Sequence, residues 1–412
     1  MSLAHGHPYL AIPGPSAVPE RVMRAMHRAA PNLYGQELIT LTEGLVTDLC
    51  AVAGTTQNLA MYVGNGHATW EAATTNLFSR GEVALVLASG HFGMHWAAQV
   101  KAMGVAVEVM DFGRSAPADP ARLEARLRAD RAGTIKAVLV THVDTATSIR
   151  NDMPALRAAI DAAGHDALLV ADCIASLGCD AYRMDDWGVD VTLAASQKGL
   201  MTPPGMAFVW YSDKAAQRSK GADLATPYWN WTPRTRPAEF WAYWNGTAPT
   251  QHLYGLREAL DMLAEEGMAQ VWHRHEVLAR TVWAAFDAWG AGSDAIRMNV
   301  ADPAHRGRSV TAARFGGVDG RRLRDWTEAM AGVTLGIGLG MGSEADPRAE
   351  GFLRVAHMGH VNAHMTLGAL AVMEAGMQAL AIPHGAGALV AATAVVAAGA
   401  GADHGPGASS AR

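Results

Sequence analysis

EVALVLASGHFGMHWAAQVKAMGVAVEVMD, residues 82–111, is the stretch on which the reading of the fold turns. Its first part, residues 83–88, is apolar throughout, as a strand buried on both faces must be. Gly90 interrupts it, and a helix is expected over about 92–103, ended by Gly104. Residues 105–110 then read as a second strand. A strand, a helix and a strand in so short a span predict a parallel crossover.

The same alternation continues on both sides. Downstream, helices are expected over about 120–129 and 153–163, and strands over 135–141, 167–171, 190–194 and 207–211. Upstream, a helix over 37–53 precedes a strand over 59–63, the glycine turn Gly64-Asn65-Gly66-His67 and a helix over 68–78. This pattern predicts an α/β fold with a mainly parallel sheet covered by helices, in which ligands bind beyond the carboxyl ends of the strands. Residues 1–20 read as an N-terminal arm, 21–260 as a large domain and 261–384 as a small C-terminal domain entered by one long helix over about 251–280. Residues 385–412 are nearly all Ala, Gly and Ser and read as a tail without fixed structure. The aromatic residues crowded into 228–244 need a large burial partner, and a subunit interface is expected.

Composition narrows the function. With half of its 412 residues apolar and 17% charged, the chain has a large interior to bury. A net charge of −6 without a basic stripe argues against nucleic acid. Cys50, Cys173 and Cys179 show neither disulfide nor metal-ligand spacing, and no secretory signal or spanning segment is recognised, so a cytoplasmic protein without a metal or a membrane contact is expected.

The polar residues at the strand ends carry the chemistry. Lys198 follows the strand over 190–194 and precedes the stiff Pro203-Pro204-Gly205 turn. A lysine desolvated there is neutral more often and can hold an aldehyde cofactor as a Schiff base. The turn Gly64-Asn65-Gly66-His67 lies between a strand and a helix, where backbone N–H groups suit a phosphate. It carries neither a dinucleotide nor a nucleoside triphosphate fingerprint. Asp172 ends the strand over 167–171, where a carboxylate would keep a pyridine nitrogen protonated. Thr141-His142-Val143-Asp144-Thr145 offers hydroxyl and imidazole groups, and His91-Phe92 a flat ring for stacking. Arg354 is a cation in an apolar run, suited to a carboxylate. A phosphate turn, an aspartate and a lysine on successive strand ends together describe a pyridoxal phosphate site.

With these residues, the chain resembles the class V pyridoxal phosphate-dependent aminotransferases, and among them the alanine-glyoxylate, serine-glyoxylate and serine-pyruvate enzymes. The resemblance rests on PGPS at Pro13, G-x-G-H at Gly64, TH-x-[DE] at Thr141, LLVADCIASLG at Leu168, SQKGLMTPPG at Ser196, TAPTQHLYGLREAL at Thr247 and RVAHMGH at Arg354. It implies fold type I: a mainly parallel seven-stranded sheet sandwiched by helices, with a smaller C-terminal α+β domain. It also implies pyridoxal 5'-phosphate on Lys198, with Asp172 at the ring nitrogen. Asn65, Gly66, His67 and Gln197 would lie around the phosphate, Thr145 at the ring oxygen, Phe92 stacked on the ring, and Ile174 beside it. Trp244 and Thr247 would reach the neighbouring subunit of a homodimer with shared sites. Arg354 would hold the substrate carboxylate, with Gly14 and Tyr34 near the substrate. The family usually has serine or threonine at Asn65, tryptophan at Phe92 and glycine at Ser148. The activity implied is ping-pong transfer of an amino group from serine or alanine to glyoxylate or pyruvate. A lyase, or transamination of another amine such as pyridoxamine, is the alternative.

Overall fold

The computed structural model describes residues 2–292, 294–342 and 347–401. Seven strands form the main sheet, in the order Asn58–Gly64, Gly205–Tyr211, Val191–Ala195, Leu168–Asp172, Ile135–Thr141, Val83–Ala88, Ala106–Asp111. Six run the same way, and only Gly205–Tyr211 is reversed, antiparallel to both neighbours. Four of the six parallel strands (135–141, 168–172, 191–195 and 83–88) are buried almost throughout, because helices cover both faces, and this is why they read as unbroken apolar runs. The carboxyl ends of the six strands lie along one edge. Asn65, Lys198, Asp172, Thr145 and Phe92 all follow such an end, so sheet topology alone gathers them.

A second sheet has the order Tyr9–Ala11, Val333–Ile337, Phe352–Ala356, Val310–Arg314, Arg297–Met298. Its first pair is parallel and the others are antiparallel. The expected arm therefore begins as a strand of this sheet. Leu353 and Val355 point into a core with Phe286, Trp289 and Leu370, and the alternation along the strand leaves Arg354 on the opposite face.

Three local expectations are corrected. The long helix expected over 251–280 is two helices, Thr250–Glu266 and Met268–Trp289, parted at Gly267 with φ 81°, a conformation that ends a helix and that glycine adopts without strain. The aromatic segment finds much of its burial within its own chain. Trp231 stacks on Tyr211 with ring centres 4.3 Å apart, and the fully buried Arg234 donates to the carbonyls of Met61, Tyr228 and Tyr243. Trp241 alone among its tryptophans is strongly exposed, at 56%. The supposed tail is helical over Ala388–Gly401, with Ala388 and Ala392 fully buried in the core shared with Trp289. Small side chains let it lie close: a Cβ on Gly399 would fall 2.7 Å from Val277. The rest of the tail, 402–412, lies outside the described residues.

Three buried histidines tie stability to pH. Burial lowers His142 and His275 to about 3 and His357 to about 4. The unfolded chain takes up protons below about pH 6.5 that the native protein refuses, so stability is full above that pH and is lost as pH falls toward 4. Each group should contribute a loss approaching ~1.4 kcal/mol per pH unit. Urea unfolding at pH 7, 6, 5 and 4 should show this decline, and a flat profile would count against it.

Candidate active site

Each strand end delivers its group differently. Asn65 caps the helix Gly66–Leu77, its side-chain oxygen accepting from the His67 backbone N–H at 3.0 Å. The amino end of that helix, with its partial positive charge, opens on a cavity of about 280 Å³. Gly66 must lack a side chain because Ile174 occupies the space: a Cβ would fall 2.5 Å from Ile174 Cδ1.

Asn65, Gly66, His67, Phe92, Thr145, Asp172, Ile174, Gln197 and Lys198 all line this one cavity. Nine of the residues singled out from the sequence are thus brought together. Gly14 is beside them, so close that a methyl group on it would overlap the Lys198 amine. Arg354 joins through the loop of Thr145, whose carbonyl accepts from its Nη1 at 3.0 Å. Tyr34 and Thr247 do not join. Both line a separate hollow of about 650 Å³, and Tyr34 is 87% exposed. Trp244 is buried in the core of its own chain.

Lys198 donates to the Pro13 carbonyl, and desolvation first, then the Arg354 charge, lowers it to about 8. Asp172 is buried. Its Oδ2 accepts from the Trp70 indole N–H at 2.9 Å and its Oδ1 from the Ile174 N–H at 2.9 Å. Desolvation outweighs these bonds and raises it to about 7. A cation placed against this carboxylate would reverse that penalty. Arg354 is 6% exposed, donates to the Ile337 carbonyl at 2.7 Å and to that of Thr145, and has no carboxylate partner among the described residues. Burial lowers it to about 10, so it stays charged at neutral pH. Gln197 Oε1 is buried without a hydrogen-bond partner among the described residues. A helix amino end, a carboxylate that gains from a cation and a lysine of lowered pKa fit pyridoxal 5'-phosphate in its phosphate, ring and aldehyde parts.

Sequence reasoning missed Trp70, Asp144 and the Pro13 carbonyl. Trp70 follows Gly66 by one helical turn, so its side of the helix was readable, but its bond to Asp172 spans 102 positions. Ser148 stands at φ 60°, in the left-handed region that favours glycine, which accounts for the glycine usual there.

The profile of the family Aminotransferase class-V matches residues 9–355. The chain is 35% identical over 378 residues to a serine–glyoxylate aminotransferase of Methylorubrum extorquens, covering 90% of each protein. It is 34% identical over 394 residues to an L-aspartate–glyoxylate aminotransferase of Paracoccus denitrificans, covering 92% of this chain and 94% of that one. The crystal structure of a pyridoxamine-pyruvate aminotransferase from Mesorhizobium loti superposes with a TM-score of 0.85 at 25% identity, over 96% and 98% of the two chains. A cavity at the strand ends that suits a pyridine ring, in a chain matched along nearly its whole length, has one explanation: the protein belongs to the class V aminotransferases, which work with pyridoxal 5'-phosphate.

Proposed function

We propose that the protein moves an amino group from a small amino acid, serine or alanine first, to a small 2-oxo acid, glyoxylate or pyruvate, in two half-reactions at one site. The observation that carries this reading is Arg354, a buried guanidinium held by two carbonyls and left without a carboxylate among the described residues. Donor and acceptor share a carboxylate and little else, so one cation can seat both in turn. Asn65, Gly66, His67 and Gln197 would hold the cofactor's phosphate, Phe92 and Ile174 its ring, Thr145 its ring oxygen, and Asp172 its nitrogen. When bound, pyridoxal 5'-phosphate supplies an electron sink that acidifies the substrate's α-carbon. Asp172 sustains that sink by staying ionised against a protonated nitrogen. Lys198 is the anchor and the base assigned to take the α-proton and return it. The Pro13 carbonyl gives its amine a resting partner.

We further propose a cytoplasmic homodimer. Tyr34, Thr247 and Trp241 around the second hollow form an exposed face that a partner copy would cover, with Thr247 contributing to the partner's phosphate seat. Arg354→Ala should raise KM for donor and acceptor alike by roughly 10- to 100-fold, the worth of a charged hydrogen-bonded pair. The function is tested by supplying serine, alanine or aspartate with glyoxylate or pyruvate and measuring the new amino acid. Equal release of ammonia or pyruvate without any acceptor would instead show a lyase.

A further inference from the structure

Asp144 is fully buried, and it forms no ion pair among the described residues. Its Oδ2 accepts from the backbone N–H of Phe92 at 2.8 Å and of Gly93 at 3.3 Å, and its Oδ1 from that of Ala146 at 2.9 Å. The first two bonds hang the opening turn of the helix His91–Ala102, which carries the Phe92 ring, on this carboxylate. The third, with the bond from the Ser148 N–H to the Asp144 carbonyl at 2.8 Å, closes the turn that contains Thr145. Thr145 lines the cavity, and its carbonyl takes the Arg354 guanidinium. Gly90 packs so tightly here that a Cβ would lie 2.5 Å from Asp144 Cγ.

We infer that Asp144 is a positioning residue that mounts Phe92 and, through Thr145, Arg354 on one buried anchor, so that the cofactor seat and the substrate seat are kept or lost together. This rests on the proposed roles of Phe92 and Arg354. Three N–H donors converge on the carboxylate, and only a group that accepts without donating satisfies all of them. Asparagine has the same shape, yet it turns an N–H₂ toward one of those donors and leaves it buried and unpaired. Charge matters as well. The Asp144 charge also offsets part of the cost of burying the Arg354 cation.

Phe92→Leu, Arg354→Lys and Asp144→Asn separate these roles in two binding measurements. The apoenzyme is titrated with pyridoxal 5'-phosphate by tryptophan fluorescence, and the holoenzyme with propionate as a competitive inhibitor. Phe92→Leu should weaken cofactor binding alone, and Arg354→Lys propionate binding alone. Asp144→Asn should weaken both, each by about 10-fold or more. The inference is overturned if Asp144→Asn weakens neither or only one while Arg354→Lys behaves as stated. If Arg354→Lys leaves propionate binding intact, the clamp itself is wrong. Should Asp144→Asn fail to fold, Gly90→Ala pushes the carboxylate off its seat without removing it. A smaller loss of both affinities then supports the inference, and unchanged affinities overturn it.

Discussion

Lys198→Ala is expected to lower transamination by about 10⁴-fold or more, because it removes the anchor and the proton carrier at once. Among the described residues no other lysine lines the cavity. The lowered pKa would make this amine effective near neutrality in the proposed role. At pH 7 a lysine at 10.5 is neutral in only a trace of molecules, whereas one near 8 is neutral in about a tenth, a gain of roughly 300-fold. Capture of pyridoxal 5'-phosphate by the apoenzyme should accordingly rise with pH through an inflection near 8, not above 10. Lys198→Arg should be as inactive as the alanine variant, since a guanidinium does not give up its proton. Glycine formation from serine and glyoxylate measures all three proteins, and wild-type turnover in either variant would remove Lys198 from the chemistry.

Asp172→Asn is expected to cost about 10²- to 10³-fold in kcat, with a smaller change in KM. In the proposed seat an amide would leave the ring nitrogen without a counter-charge, weakening the electron sink while the substrate carboxylate could still reach Arg354. The empty protein should respond differently. Burial raises Asp172 to about 7, so the native state holds its proton more tightly than the unfolded chain does, and the ionised carboxylate destabilises the fold as pH rises from about 4 to 7. Asn cannot ionise. Its N–H₂ would, however, face the Trp70 indole or the Ile174 N–H that the carboxylate accepts from, so the Asp172→Asn apoenzyme should melt below the wild type at pH 5 and the deficit should narrow toward pH 8, while the loaded variant is far less active. A deficit that stays the same from pH 5 to 8 would show that ionisation of Asp172 does not destabilise the apoenzyme.

Much of this was legible because apolar strands buried on both faces end in polar residues, and the polarity change marks the ligand edge without any three-dimensional knowledge. Asp172 and Lys198 announced themselves that way, as did Asn65 in its glycine turn. Asp144 was in view, within a polar cluster after a strand, but two of its three partners are backbone N–H groups about fifty positions away, and nothing local encodes such a bond. Trp70 was hidden for the same reason. The helix Ala388–Gly401 was misread because its alanines and glycines look like low-complexity chain, yet small side chains are what allow it to press against Met268–Trp289. Trp244 was given to a partner subunit, whereas the hydrophobic effect had a nearer use for it in its own core.

The one reversed strand, Gly205–Tyr211, has a mechanical consequence. Because it lies beside Val191–Ala195 and runs back, Lys198 sits on a short return loop clamped at both ends by neighbouring strands, with no crossover helix to carry it away. Lys198 is in effect a fixed post. Arg354 stands on the other sheet, and the segment from Tyr9 to Ser16 is the strap between them, one end zipped to Val333–Ile337 and the other fastened to the Lys198 loop by Ser16. Any sliding of the second sheet changes the gap between post and cation, and the strap's length limits how wide that gap can open. With the proposed seats at Lys198 and Arg354, the reach of a substrate from its carboxylate to its amino group would be gauged by the eight residues from Tyr9 to Ser16.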